Sequence, residues 1–287
     1  MRLLVLGHRG MLGSELLTTL SYHHDVIGKD ADEFDIVSED ACRRVVKETQ
    51  PDVVINAAAY TDVDGSETAR ELCFAVNAEG VKNIALACRT GKIKIIHFST
   101  DYVFDGKKKA SYREDDPCHP LNTYGEAKLA GEKNLHQYSD HYLMIRTAWL
   151  YGKNGNNFVK TILDKARDVR RLQVVDDQKG SPTYTRDLAA AVERLLAGSH
   201  SGIFHLTNRG SCSWYEYALK ILDYAGIGNV AVTRIGSSQL NRPAARPQNS
   251  VLSCSKFIEM TGRTMRFWQI ALHDYMTQER MTMRRDH

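Results

Sequence analysis

Short, mainly apolar runs recur through the first half of the chain. Leu3-Leu4-Val5-Leu6 stops at Gly7. Val26-Ile27 stops at Gly28. Val53-Val54-Ile55 runs into Asn56-Ala57-Ala58-Ala59. Lys94-Ile95-Ile96-His97-Phe98 delivers Ser99-Thr100-Asp101, and Tyr142-Leu143-Met144-Ile145 leads to Arg146-Thr147. Runs this short, without polar alternation, predict buried strands. Between them the pattern is helical. A helix opens at Glu15-Leu16-Leu17. Ser38 reads as an N-cap, with Glu39 and Asp40 at the positive end of the helix dipole. A helix is expected over 67–89, broken near Asn77. Another is expected over 121–135, where Glu126, Ala127, Lys128, Leu129, Ala130 and Glu132 favour helix. This order of strands and helices is that of a doubly wound α/β sheet.

Past Gly152 the texture changes. Asn154-Gly155-Asn156-Asn157 reads as a loop, 158–169 as a helix, 172–175 as a strand and 178–183 as a second loop. A helix over 187–196 and a strand over 202–206 follow. Ser213 and Glu216 have capping-box spacing at the head of a further helix. Arg242-Pro243-Ala244-Ala245-Arg246-Pro247 is a Pro-stiffened loop whose two arginines can grip a diphosphate, or simply be solvated.

Composition narrows the class. In 287 residues, 25% charged and 43% hydrophobic residues are ordinary for a soluble globular protein. A net charge of +3 argues against nucleic acid or membrane as the main partner. The basic run at 280–285 reads as a solvated tail. None of Cys42, Cys73, Cys88, Cys118, Cys212 and Cys254 forms a C-x-x-C pair, so no zinc site is expected. Gly7 and Gly10 interrupt the N-terminal apolar run, which argues against a secretion signal. No stretch approaches membrane-spanning length. Free thiols in a reducing cytoplasm are the expectation.

Candidate chemistry sits at the strand ends. Gly7, Gly10 and Gly13 lie between a strand and a helix, where glycines permit a tight turn and close approach of a pyrophosphate to free N–H groups. Asp30, about twenty residues on, suits the ribose hydroxyls of an adenosine, whereas Lys29 beside it suits a 2′-phosphate. Ala57, Ala58 and Ala59 leave room for a flat ligand. Tyr124 and Lys128 share one helix face, about 5–6 Å apart at Cβ. A lysine so placed should lower the tyrosine's pKa from about 10 and fit it for proton transfer. His97 reads as a packed strand residue.

These residues resemble the extended short-chain dehydrogenase/reductase superfamily, and within it the dTDP-4-dehydrorhamnose reductase family. The matching motifs are Gly7-x-x-Gly10-Met11-Leu12-Gly13, Asn56-Ala57-Ala58-Ala59-Tyr60-Thr61, Ser99-Thr100-Asp101-Tyr102-Val103-Phe104-Asp105-Gly106 and Pro120-Leu121-Asn122-x-Tyr124-Gly125-x-x-Lys128. Arg146-Thr147-x-Trp149-Leu150-Tyr151-Gly152, Asp177-Gln178-x-Gly180-x-Pro182-Thr183 and Arg246-Pro247-x-Asn249-Ser250 follow in the same order. The resemblance implies a Rossmann sheet over 1–150 that binds NAD(P), with a return segment near 172–200. It implies a smaller C-terminal α/β substrate domain over 151–287.

It further implies that Gly7, Gly10, Met11 and Leu12 hold the pyrophosphate of NADPH or NADH. Asp30, Asp35 and Ile36 hold the adenosine part. Ala57, Ala58, Ala59 and Phe98 line the dinucleotide, Phe98 standing where a tyrosine is usual. Thr100, Asp101, Trp149 and Arg246 face a dTDP-sugar. The implied reaction reduces the 4-keto group of dTDP-4-dehydro-6-deoxy-L-mannose to dTDP-L-rhamnose. Tyr124 is the proton donor, Lys128 its tuner and a holder of the nicotinamide ribose, and Thr100 a hydrogen-bond partner of the carbonyl. The resemblance allows a homodimer and a Mg²⁺ ion, although no metal ligands are read from the residues. Two other readings remain. One is a nucleotide-sugar dehydratase or epimerase, disfavoured because Tyr102 rather than a glutamate follows Asp101. The other is a non-catalytic NADP-binding subunit like the regulator of methionine adenosyltransferase. The Asp115-Asp116-Pro117-Cys118-His119 loop finds no interpretation.

Overall fold

A computed structural model describes residues 1–285, and side chains through residue 279. The basic run at 280–285 ends the helix Trp268–Arg285, and its side chains lie outside the described residues. All the expected strands form, the first five being β1 (Arg2–Leu6), β2 (Asp25–Lys29), β3 (Val53–Asn56), β4 (Lys94–Thr100) and β5 (Tyr142–Thr147). With Gly202–His205 these five build one six-stranded sheet in the order β2, β1, β3, β4, β5, Gly202–His205. Every pairing is parallel, with Leu3 beside Val53 and Thr100 beside Thr147. Helices cover both faces of a parallel sheet, which explains why its strands are continuous apolar runs.

The covering helices are amphipathic. On one face, α1 (Met11–Leu20) and Thr185–Leu196 bury Leu12, Leu16, Leu20, Leu188, Val192 and Leu195 against Leu3, Val5 and Ile55. On the other, α2 (Glu39–Thr49), α4 (Gly80–Arg89) and α5 (Thr123–Tyr138) bury Val45, Val46, Val81, Ile84 and Leu135 against Leu4, Leu6 and Val54. Ser38 caps α2 as expected, its side chain accepting from the Ala41 N–H. The expected break near Asn77 is a π-turn, Ala75–Glu79, between α3 (Arg70–Phe74) and α4. Asn77 causes it by serving both backbone groups of Tyr60, accepting at 3.0 Å and donating at 2.9 Å. Gly131 lets α5 press on this turn, since a Cβ there would lie 2.1 Å from the Asn77 carbonyl oxygen.

A second core forms beyond β5. Phe158–Asp168, Trp214–Ala225 and Trp268–Arg285 pack around Tyr151, Tyr184, Tyr217 and Tyr275. The capping box at Ser213 and Glu216 is present. Only part of the segment 172–200 expected to return to the main sheet does so. Arg171–Val175 pairs in parallel with Ala231–Ile235, outside the main sheet. The segment that does return is Thr185–Leu196 with Gly202–His205. No helix among the described residues is long and apolar enough to cross a membrane.

Candidate active site

The strand order reverses direction between β1 and β3, and a doubly wound sheet opens its ligand crevice at that point, outside the strands' carboxyl ends. The glycine turn and the alanine run meet there. Gly7 has φ +75°, and a Cβ on it would lie 2.7 Å from the Ala58 nitrogen. On Gly13 a Cβ would lie 2.0 Å from the Gly7 oxygen. Any side chain at either position would push β1, α1 and β3 apart. Gly10 begins α1 with no side-chain cap and no acid in the first turn. The first N–H groups of α1 therefore face the crevice with the positive dipole end, a fit for a dinucleotide's pyrophosphate. Leu12's side chain is in the core, which leaves only its backbone for a ligand, whereas Met11 is half-buried.

Asp30, expected at the adenosine end, is held by backbone. Its Oδ2 accepts from the Arg9 N–H at 2.8 Å and its Oδ1 from the Ala31 N–H at 2.8 Å. Lys29 is paired with Glu33 at 3.1 Å and Arg9 with Asp32 at 2.6 Å, so both cations of this corner already have carboxylate partners. Asp35 accepts from the Val37 N–H. Ile36 is buried, and Asn83 donates to its carbonyl. Ala57, Ala58 and Ala59 are half-buried along the crevice.

Thr100 ends β4 and Tyr124 opens α5. Asn122 fixes that opening: it accepts from the Gly125 N–H at 2.8 Å and donates to the Ala245 carbonyl at 2.7 Å. Gly125 allows the close approach, since a Cβ there would lie 2.3 Å from the Tyr102 oxygen. Tyr102 meets Tyr124 edge-on, centroids 6.1 Å apart. Lys128 is buried beneath, donating to the Phe98 carbonyl at 2.7 Å with His97 Nε2 at 3.5 Å.

This corrects one expectation. Burial, and then the charge of Asp101, push the Tyr124 phenol above its ordinary pKa; the Thr100 hydrogen bond is what opposes them. The Lys128 ammonium is turned toward a backbone carbonyl and does not lower the phenol's pKa as expected. Burial brings Lys128 itself down to about 8, against the opposing charge of Glu132. Asp101, also buried, is pushed up to about 7.

Arg246 lies beside this group, but its fork is held by Asp64, with both nitrogen–oxygen distances 2.7 Å. Trp149 has φ +48°, in the left-handed region. Its ring stacks on Trp214 with centroids 3.4 Å apart and planes 6° apart. Gln178 fixes Trp214 by accepting from its indole N–H at 3.2 Å. Trp149 is half-buried and packs against the second core.

The sequence reading missed a buried network behind Thr100. Glu132, on α5, accepts from Ser99 Oγ at 2.5 Å and from Arg146 Nε and Nη2 at 2.9 and 2.6 Å. Arg146 also reaches the Cys118 sulfur at 3.3 Å, which explains why that loop packs where it does. A charged residue closing an apolar strand was the available signal. His97 is packed as expected, beside Asn56 at 3.2 Å. All six cysteines are free thiols. Among the described residues no group of three or more His, Cys, Asp or Glu side chains could hold a metal ion.

The family model described as RmlD substrate binding domain matches residues 1–281. The spore coat polysaccharide biosynthesis protein SpsK of Bacillus subtilis is 40% identical over 97% of this chain and 98% of its own. A crystal structure of a dTDP-4-dehydrorhamnose reductase from Clostridium acetobutylicum superposes with a TM-score of 0.94. It is 39% identical and the match covers 98% of this chain and all of that one. The enzyme of the same name from Bacillus anthracis, solved in complex with NADP, gives 0.93 at 36% identity over 96% and 99%.

Proposed function

The chain belongs to the RmlD substrate binding domain family, and we propose that it is an NAD(P)H-dependent reductase of a 4-keto-6-deoxy sugar nucleotide. Its proposed substrate is dTDP-4-dehydro-6-deoxy-L-mannose and its product dTDP-L-rhamnose. The observation that carries this reading is the grouping of Thr100, Tyr124 and Lys128 at the carboxyl end of β4, beside a crevice shaped for a dinucleotide. The reductases named above, one in complex with NADP, support it.

The bound nicotinamide supplies the hydride. Gly10 and the first N–H groups of α1 hold the cofactor's pyrophosphate, Asp30 its adenosine ribose, and Lys128 its second ribose. Thr100 and Tyr124 hydrogen-bond the carbonyl oxygen, where negative charge develops. Tyr124 is the proton donor. Its raised pKa keeps the phenol protonated at neutral pH, which a reduction requires. Trp149 offers an apolar face to the sugar nucleotide.

Oxidation of NADPH and NADH against a panel of 4-keto-6-deoxy sugar nucleotides tests the reading. Turnover is expected with the dTDP-linked L-sugar. Oxidation with none of the panel refutes the reductase, and a preference for another base or sugar revises the substrate.

A further inference from the structure

We propose that Asn56 and His97 are positioning residues for Lys128: Asn56 locks the imidazole in the tautomer that points an N–H at the lysine nitrogen, and so favours the neutral amine there. The proposal rests on the reading above in which Lys128 holds the nicotinamide ribose.

The three side chains form a line through the core. Asn56 ends β3, and His97 lies beside it on β4, in register across the parallel pair. Neighbours in register point to one face of a sheet. Lys128 meets them from α5. Asn56, His97 and Lys128 are 1%, 0% and 2% exposed. Polar groups buried this deeply need partners, and the partners fix where each proton sits. The Ala58 N–H gives to Asn56 Oδ1 at 3.1 Å. A backbone N–H can give only to the oxygen of an amide, so the Asn56 NH₂ is the group that faces His97 Nδ1, at 3.2 Å. Nδ1 must then accept. Burial, and then the charge of Lys128, keep the imidazole neutral, so its one ring proton is on Nε2.

Nε2 lies 3.5 Å from Lys128 Nζ. An ammonium has three protons and no lone pair, so it cannot accept from the Nε2–H, whereas an amine can. The contact is long for a hydrogen bond, as two facing donors would leave it, while the Phe98 carbonyl takes a full bond from Nζ at 2.7 Å. The other groups around Lys128 do not reverse this. Glu132, one turn on along α5, favours the ammonium but is paired with Arg146 at 2.6 Å. Cys73, on α3, has its thiol kept protonated by burial. Tyr124, one turn back, is a neutral phenol.

Charge and donors go together at this nitrogen. After the Phe98 carbonyl is served, the ammonium has two protons left for ribose hydroxyls. The amine, its lone pair filled by His97, has one. Cofactor affinity should therefore follow the protonated lysine. It should be full below the pKa of Lys128 and fall as pH rises through it.

The test compares wild type, Asn56→Asp and His97→Gln. In the ligand-free wild type, proton–nitrogen correlation spectra should show His97 protonated at Nε2 and bare at Nδ1. Fluorescence titration with NADH and NADPH should show affinity falling as pH rises through about 8. Asn56→Asp replaces the NH₂ by an acceptor. The ring proton should move to Nδ1, Nε2 should accept from the ammonium, and the affinity limb should rise by about one to two pH units, the worth of a hydrogen bond to a charged group. In His97→Gln the amide can accept from Asn56 and donate to Lys128 as the imidazole does, so the limb should stay where it is in the wild type. A wild-type imidazole protonated at Nδ1, an unmoved limb in Asn56→Asp or a displaced limb in His97→Gln overturns the proposal. If Asn56→Asp does not fold, the wild-type spectrum and the glutamine variant still decide it. Absence of cofactor binding at every pH refutes the ribose reading instead, and the tautomer, read without cofactor, still decides whether Asn56 sets it.

Discussion

Arg146→Met is the perturbation whose cost the structure makes easiest to work out. Arg146 and Glu132 have side chains only 3% and 5% exposed. Glu132 follows Lys128 by one helical turn, and Ser99, which it also holds, precedes Thr100. Methionine removes the bonds to both carboxylate oxygens and leaves Glu132 buried with only a serine hydroxyl. Removing one partner of a buried ion pair costs about 3–5 kcal/mol. At about 2–4 °C per kcal/mol for a chain of this size, the melting temperature should fall by on the order of 10 °C. Arg146→Met/Glu132→Leu should recover much of this, because an apolar replacement of the whole pair is often neutral. Thermal and urea unfolding of Arg146→Met, Glu132→Leu and the double variant at pH 7 measure both numbers and the coupling. If Arg146→Met loses less than about 1 kcal/mol, or the double variant is no better than the single, then the ion pair is not what anchors α5 to β5 and the reasoning fails.

The fold was legible where burial is symmetric. The sheet strands are covered on both faces, so they stand out as apolar runs, and the polar residues that end them mark the cleft. Thr100 could be read for that reason, and Tyr124 and Lys128 from their spacing on α5. Ser38 and Ser213 were legible because each works through its own backbone neighbourhood. What the sequence hid depends on partners chosen in space. The Phe98 carbonyl that takes the Lys128 ammonium has no side-chain signature. Asp64 is distant in sequence from the arginine fork it holds. Arg171–Val175 has the texture of a sheet strand, and periodicity cannot say that its partner is Ala231–Ile235. The two-residue strands Leu150–Tyr151 and Thr183–Tyr184 are too short to carry any period.

Three further outcomes follow. Tyr124→Phe should lower kcat about 10²–10⁴-fold with cofactor affinity retained, as measured by NADPH oxidation and titration; unchanged turnover removes Tyr124 as the acid. Asp101 should make stability fall with rising pH. Its folded pKa of about 7 lies above the ordinary 3.8, so the fold favours the protonated form. That contribution is complete at acid pH and is lost between about 4 and 7, amounting to on the order of 4 kcal/mol relative to Asp101→Asn. Parallel urea curves for the two proteins across that range would refute it. The last outcome concerns Trp149, which the structure packs against the second core and which the proposed function makes a face of the substrate site. Trp149→Ala and Trp149→Gly remove the same ring from Trp214, but alanine keeps the cost of a left-handed backbone, about 1–2 kcal/mol, and glycine does not. The glycine variant should therefore be the more stable of the two. If the ring serves the sugar nucleotide, both variants should raise KM equally despite that difference. Wild-type kcat/KM in both, measured well below their melting temperatures, would leave Trp149 a packing residue and nothing more.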